Sequence, residues 1–361
     1  MKELQVVYRI SCAAAEVEAR ARALAVEQSI EMPPEAVASA FVREHVIGEV
    51  LAIEAAADGA FDVRVGLSLE STGGEGGQLL NMLFGNSSLQ PEVRLQDFEL
   101  SAEAARTFGG PRHGIAGLRR AVGRPDGALT CSALKPLGST AAELADLACA
   151  LAAGGIDVIK DDHGLADQSR APFEQRVPAI CEALARGGLE RCLYVPSVGG
   201  GPARLQRQLA VARDAGVRMV LLAPMVSGAG ALQEVAGEFM VLAHPAMAGA
   251  ARIAPAALLG KLFRLCGADA TIFPNHGGRF SYSEDCCRGI ADAARAPWHD
   301  LGTSLPVPAG GMRPERVAEM LSFYGEDVML LIGGALLASP LGVEAAARDF
   351  VGATRAAVAC P

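Results

Sequence analysis

The chain has 361 residues, 51% of them hydrophobic, which is enough to bury a barrel of about 250 residues beside a smaller domain. Its 32 basic and 41 acidic residues give a net charge of −9 with no basic block, which argues against nucleic acid or an anionic membrane as a partner. No run of about 18 apolar residues escapes Gly, Pro or charge, and MKELQVVYRI lacks the features of a signal peptide, so a cytoplasmic protein is expected. The nine cysteines are scattered and form no CxxC, and Cys286 and Cys287 are adjacent. Reduced thiols are therefore expected, with no disulfide frame or zinc site.

Along the chain, Leu4 to Ile10 alternates as a strand and Ala13 to Val26 reads as an alanine-rich helix. Val46 to Ala56 and Ala60 to Leu69 read as a hairpin around Ala57-Asp58-Gly59. A strand, a helix and paired strands predict a small antiparallel sheet with helices on one side, an α+β domain of the ferredoxin-like kind over residues 1–107. FGGPRHGIAGLRRAVG, from Phe108, punctuates the chain as a junction.

Over 108–361 the pattern becomes regular. Eight short apolar runs begin at Leu129, Ile156, Cys192, Val217, Phe239, Ala270, Leu305 and Val328, separated by helical stretches such as Ala141 to Ala153 and Pro202 to Ala215. Eight such alternations predict a closed (β/α)8 TIM barrel. Every parallel strand then delivers its carboxyl end to one mouth, which would collect Lys135, Lys160, Asp162, His163, Ser197, His244 and the stretch Asn275 to Arg279 with His276. Gly310-Gly311 and Gly333-Gly334 follow the seventh and eighth runs, where glycine lets backbone N–H groups approach a phosphate.

The stretch GGIDVIKDDHGLAD, Gly154 to Asp167, carries the densest chemistry. An apolar strand stops abruptly at Lys160-Asp161-Asp162-His163, and pleat alternation turns Lys160 and Asp162 the same way. A lysine beside a carboxylate and an imidazole serves either as a Schiff-base nucleophile or, after its amine adds carbon dioxide, as an oxygen ligand for a hard cation. A salt-bridged strand end is the plain alternative. His45, His113 and His299 have no supporting spacing and read as surface or structural residues.

GGIDVIKDDH resembles the metal-site strand of the ribulose bisphosphate carboxylase (RuBisCO) superfamily, usually a glycine pair, an apolar strand and Lys-Asp-Asp-Glu. SALKPLGST, VLAHPAMAG, GADATIFPNHGGRF, PVPAGG and LLIGGALLASP are similar to its other strand-end motifs. The resemblance implies that Lys160 carries carbon dioxide as a carbamate and holds Mg2+ or another divalent metal with Asp162 and His163. It further implies that Lys135 moves a proton, that His244 is the active-site histidine, and that Arg279, Asn275, His276 and the four glycines hold substrate and phosphate. AVEQSIEMP and LLNMLFGNSSL resemble segments that complete a neighbouring subunit's site, with Glu27 and Asn81 the matching residues. A homodimer with shared active sites and no small subunit is then expected.

Three departures point to the RuBisCO-like branch. His163 replaces the metal-binding glutamate, Pro245 replaces an arginine that holds a phosphate, and NHGGRFSYS has no lysine where carboxylases have one. Exchanging glutamate for imidazole leaves the site one charge more positive, and imidazole suits softer transition metals better than it suits magnesium. The resemblance implies a non-carboxylating enzyme that enolises a phosphorylated ketose through a metal-stabilised enolate, as an isomerase of the 5-methylthioribulose-1-phosphate type. The alternatives are decarboxylation, transcarboxylation or hydrolysis of a 3-oxo sugar-acid phosphate (3-oxo-isoapionate 4-phosphate type) and a diketo-methylthiopentyl-phosphate enolase. A metal-free Schiff-base aldolase and a non-catalytic sugar-phosphate binder are readings of other classes.

Overall fold

The computed structural model describes residues 2–280 and 282–358. Strand β1 (Leu4–Ser11) buries alternate residues and lies between β3 (Ala60–Leu67) and β4 (Val93–Leu100), with β2 (Glu49–Ala55) beyond β3. All these pairings are antiparallel, and the order β2-β3-β1-β4 is the ferredoxin-like one. The hairpin turns at Ala57–Gly59, with Asp58 left-handed at φ 59°. β2 starts only at Glu49, because Val42–Val46 winds as a π-helical turn and Gly48 lies against helix Val17–Glu27. A Cβ on Gly48 would sit 2.4 Å from the Ala25 carbonyl oxygen, so only glycine admits that approach.

The fourth strand escapes a simple alternation for a physical reason. Val93 and Leu95 are buried on one parity and Phe98 and Leu100 on the other, because the pairing with β1 slips between Val7 and Tyr8. Such a bulge inverts the pattern midway through the strand. The outer edge of β4 is covered by the barrel: the Leu95 N–H donates to the Arg252 carbonyl at 3.0 Å, and the Ala254 N–H donates to the Leu95 carbonyl at 2.8 Å. Lys261 ties the same strand down through Asp97 at 2.8 Å, over the rings of Phe98 and Trp298.

Eight parallel strands form the second sheet: β5 (Leu129–Leu134), β6 (Val158–Asp161), β7 (Leu193–Val195), β8 (Met219–Leu222), β9 (Met240–Ala243), β10 (Ala270–Pro274), β11 (Leu305–Ala309) and β12 (Met329–Ile332). The Val198 N–H donates to the Leu221 carbonyl at 2.9 Å and the Leu221 N–H to the Pro196 carbonyl at 2.8 Å, closing the ring between β7 and β8. The connecting helices start where local chemistry allows. Helix Ala141–Ala153, for example, begins with a reciprocal capping box between Thr140 and Glu143.

The ring is packed through and plugged at its amino-terminal end. Ile115, Leu118 and Val122 of helix Gly114–Val122 share a core with inward residues that include Cys131, Val158, Leu242, Ile272, Val307 and Leu331. Asp269 holds the plug: one carboxylate oxygen accepts from the His113 and Gly114 N–H groups at 2.9 and 2.7 Å, and the other accepts from Val241 at 2.9 Å. The inward set fixes the parity at every strand end. Counting on by twos puts Lys135, Lys160, Asp162 and His244 over the mouth, and turns Asp161 and Asn275 outward toward the helices.

Candidate active site

Lys160 ends the inward row of β6 and is 4% exposed. Its Nζ donates to the Asp161 carbonyl at 2.7 Å, and burial lowers the amine's pKa against the opposing pull of Asp162 and Asp161. Asp161, on the other parity, is fully buried. Its carboxylate accepts from Tyr194 Oη at 2.8 Å, the Arg176 guanidinium at 3.1 Å and the Ser197 N–H at 3.0 Å. Burial pushes the Asp161 carboxyl up, and these partners oppose it. This network pins the end of β6 to β7 and to helix Phe173–Arg186, and so sets where Lys160 and Asp162 stand.

Asp162 joins two of the other expected residues. Its Oδ2 accepts from Lys135 Nζ at 2.6 Å, and its Oδ1 lies 3.1 Å from His163 Nδ1. Burial works to raise this carboxyl, but the Lys135 hydrogen bond and the charges of Lys135 and Lys160 outweigh it and hold the pKa below the ordinary aspartate value. The His163 ring stacks on His244, with centroids 4.4 Å apart and planes 14° from parallel. Burial, with the Lys160 charge second, pushes His244 down to about 3, so it is a neutral imidazole at physiological pH. Its Nδ1 accepts the Ala246 N–H at 3.1 Å.

The remaining predicted residues lie elsewhere. The Asn275 side chain is buried under helix Val317–Tyr324, where Oδ1 accepts from Tyr324 at 2.7 Å and Nδ2 meets Met320 Sδ at 3.1 Å. The His276 ring packs on Phe323 with centroids 4.7 Å apart, so this pair faces the helix layer and not the Lys135 cluster. Arg279 is exposed over the Phe280 ring. Gly310 and Gly311 both have positive φ, 101° and 66°, and a Cβ on Gly311 would lie 2.8 Å from the Gly277 carbonyl oxygen. The β10 and β11 loops therefore pack backbone to backbone. Gly333 and Gly334 instead have open space where a Cβ would stand.

Glu27 ends helix Val17–Glu27 and accepts from Asn86 Nδ2 at 3.0 Å, while Gln28 bonds Ser87 and the Met82 carbonyl. The two N-terminal segments thus form one surface, with Asn81 exposed on it. Among the described residues, no hydrogen bond or ion pair joins Glu27 or Asn81 to Lys135, Lys160, Asp162 or His244.

No group of three or more His, Cys, Asp or Glu among the described residues is placed to hold a metal ion. Asp162 and His163 need a third donor, and a lysine provides an anionic oxygen only as a carbamate. The residues fit that requirement: the Lys160 amine is buried with depressed basicity, which favours the free amine that reacts with carbon dioxide, and Asp162 is held ionised beside it. Asp161, Arg176 and Tyr194 were not singled out from sequence. Pleat parity alone separates the first aspartate of Lys-Asp-Asp from the second, but their partners are distant in sequence.

A closed parallel barrel with two lysines, an aspartate and two histidines over its carboxyl-terminal mouth, joined to a ferredoxin-like sheet, defines a RuBisCO-type architecture. The family model for the ribulose bisphosphate carboxylase large chain, catalytic domain, matches residues 114–360. Ribulose bisphosphate carboxylase-like protein 1 of Rhodopseudomonas palustris is 53% identical over 340 residues, which are 92% of this chain and 92% of that protein. The 5-methylthioribulose-1-phosphate isomerase of Rhodospirillum rubrum is 50% identical over 343 residues, 92% of this chain and 91% of that one. The crystal structure of a Rubisco-like protein from Rhodopseudomonas palustris superposes with a TM-score of 0.90 at 46% identity, covering 98% of each chain. The chain belongs to the RuBisCO large-chain family, in its RuBisCO-like branch.

Proposed function

We propose that this RuBisCO-like enzyme isomerises a phosphorylated ketose of the 5-methylthioribulose-1-phosphate type by moving a proton next to a carbonyl. The observation that carries the reading is the 2.6 Å contact between Lys135 Nζ and Asp162. It fixes a proton-carrying amine beside the residues suited to a cation, and the relative named as that isomerase is half identical over nearly the whole chain. A proton leaves the carbon beside the carbonyl, its C–H electron pair becomes the C=C bond of an enediolate, and a proton returned to the neighbouring carbon completes the isomerisation. Lys135, as its neutral amine, is the group assigned to take that proton and, as the ammonium so formed, to return it to the neighbouring carbon. His244, neutral and half-buried, hydrogen-bonds the substrate without adding charge.

Lys160 as a carbamate, Asp162 and His163 would hold Mg2+ or a related divalent ion, which when bound lowers the energy of negative charge on the carbonyl oxygen. Gly310, Gly311, Gly333 and Gly334 are assigned to the phosphate, supported by the pairing of β11 with β12 at Ala309 and Leu331 just below them. Carboxylation has no support here, since Pro245 stands at the phosphate arginine and the loop Asn275–Ser283 has no lysine. Glu27 and Asn81 are assigned to the mouth of a second copy in a homodimer. No helix among the described residues is long and apolar enough to cross a membrane.

Incubation with pentulose phosphates in deuterated water, in the presence of Mg2+ and bicarbonate, tests the reading by NMR. Deuterium at the carbon beside the carbonyl together with a new ketose phosphate is the expected result. Release of carbon dioxide from a 3-oxo sugar-acid phosphate with no exchange into the pentulose would replace it with decarboxylation. Binding without any exchange would reduce the protein to a sugar-phosphate binder.

A further inference from the structure

His244 is held on two sides. Its Nδ1 accepts the Ala246 N–H at 3.1 Å, and one ring face is covered by His163 at 4.4 Å. A ring nitrogen that accepts an N–H carries no proton, so a neutral ring must carry its proton on Nε2. Among the hydrogen bonds of the described residues none uses His244 Nε2, and this atom is also not among the buried polar atoms that lack a partner. It therefore keeps access to solvent, on a side chain that the inward parity of Leu242 puts over the mouth.

The residue between the two bonded groups is Pro245, where the family's carboxylases have an arginine. Proline fixes its own φ near −65° and offers no N–H that could compete for the ring. The next amide, that of Ala246, folds back onto Nδ1.

We infer that the Pro245-Ala246 turn locks His244 as a hydrogen-bond donor through Nε2, aimed at the substrate oxygen that gains negative charge as the proton leaves the adjacent carbon. This rests on the isomerase reading and deepens it. The turn exchanges a phosphate-holding arginine for control over an imidazole tautomer. Pro245 and Ala246 are positioning residues. His244 touches substrate, makes no bond to carbon, and gives up no proton to the turn.

The test has a part that needs no turnover. Long-range 1H–15N NMR of substrate-free, histidine-labelled protein, with the His244 signals among the six histidines assigned by their absence from His244→Gln, should show the Nε2–H tautomer near neutral pH. Pro245→Gly should mix in the other tautomer. An Nδ1–H or doubly protonated His244 in the wild type overturns the inference, and so does a Pro245→Gly spectrum unchanged from it.

Kinetics give an independent arm. A glutamine amide nitrogen reaches the Nε2 position and an asparagine amide nitrogen only the Nδ1 position, so His244→Gln should retain kcat on the order of tenfold above His244→Asn. Equal kcat values would contradict donation from Nε2. Absence of turnover in the wild type with any pentulose phosphate would sink the isomerase reading while leaving the tautomer spectrum as it stands.

Discussion

Asp162 is the residue on which the mouth depends, because among the described residues it alone is paired with both Lys135 and His163. Removing its carboxylate frees the Lys135 amine and takes away the oxygen proposed above to hold a cation, so Asp162→Ala is expected to lower kcat by at least the order of 10²–10³-fold typical of a lost electrostatic group. Circular dichroism should show the fold retained, and near-wild-type turnover would refute the assignment. Lys160 yields a prediction in pH. A protonated amine has no lone pair for carbon dioxide, so after equilibration in buffer free of carbon dioxide, the rate of activation by bicarbonate and Mg2+ rises as Lys160 loses its proton. Because burial lowers that pKa, the rise should level off below the ordinary lysine value. Lys160→Met should show no activation step at any pH. A rate that keeps climbing through the ordinary lysine range would mean that the reacting amine lies elsewhere.

At the level of strands and helices, what counts is parity. Two aspartates adjacent in sequence face opposite ways, and the outward one does structural work: Asp161 meets Arg176, and both side chains are wholly buried. Asp161→Ala would leave a guanidinium charge buried without its carboxylate, a loss of about 3–5 kcal/mol. Urea unfolding measures it, and a change below about 1 kcal/mol would show Arg176 satisfied by the Ala171 and Ala166 carbonyls alone. The eight barrel strands were legible because strands buried on both faces read as uninterrupted apolar runs. β4 was not, because its bulge reverses the alternation halfway along. Lys135, Asp162 and His244 could be placed from the sequence because each continues an inward row. Asn275 could not, since its outward parity follows only once Ile272 is known to point inward. The Asp161 network was hidden for another reason: Arg176 and Tyr194 lie 15 and 33 residues away in the chain, and no local pattern links them to it.

For the whole molecule, the matter to decide is where Glu27 and Asn81 act, since among the described residues no hydrogen bond or ion pair joins them to the mouth of their own barrel. The surface around them has exposed apolar side chains, with Phe41 at 55% and Leu89 at 80% exposure, and the barrel-mouth loops have their own in Leu137, Met247 and Phe280. Apolar groups bared on both surfaces fit two copies that cover one another, each sheet domain reaching the partner's mouth. Such an arrangement makes two different defects complementary. Glu27→Gln damages the lid a chain offers, and Asp162→Ala damages the mouth it owns. In a dimer that mixes the two variants, one mouth carries both defects and the other carries neither. If chains exchange at random, half the dimers are mixed and half of their sites are intact, so two nearly inactive variants should together recover about one quarter of wild-type activity. Refolding the variants together and assaying the product against each refolded alone measures this, with sedimentation reporting the dimer. Recovery no greater than the sum of the separate variants would mean that each barrel is completed by its own chain, and Glu27 would then be an ordinary helix-end charge bonded to Asn86.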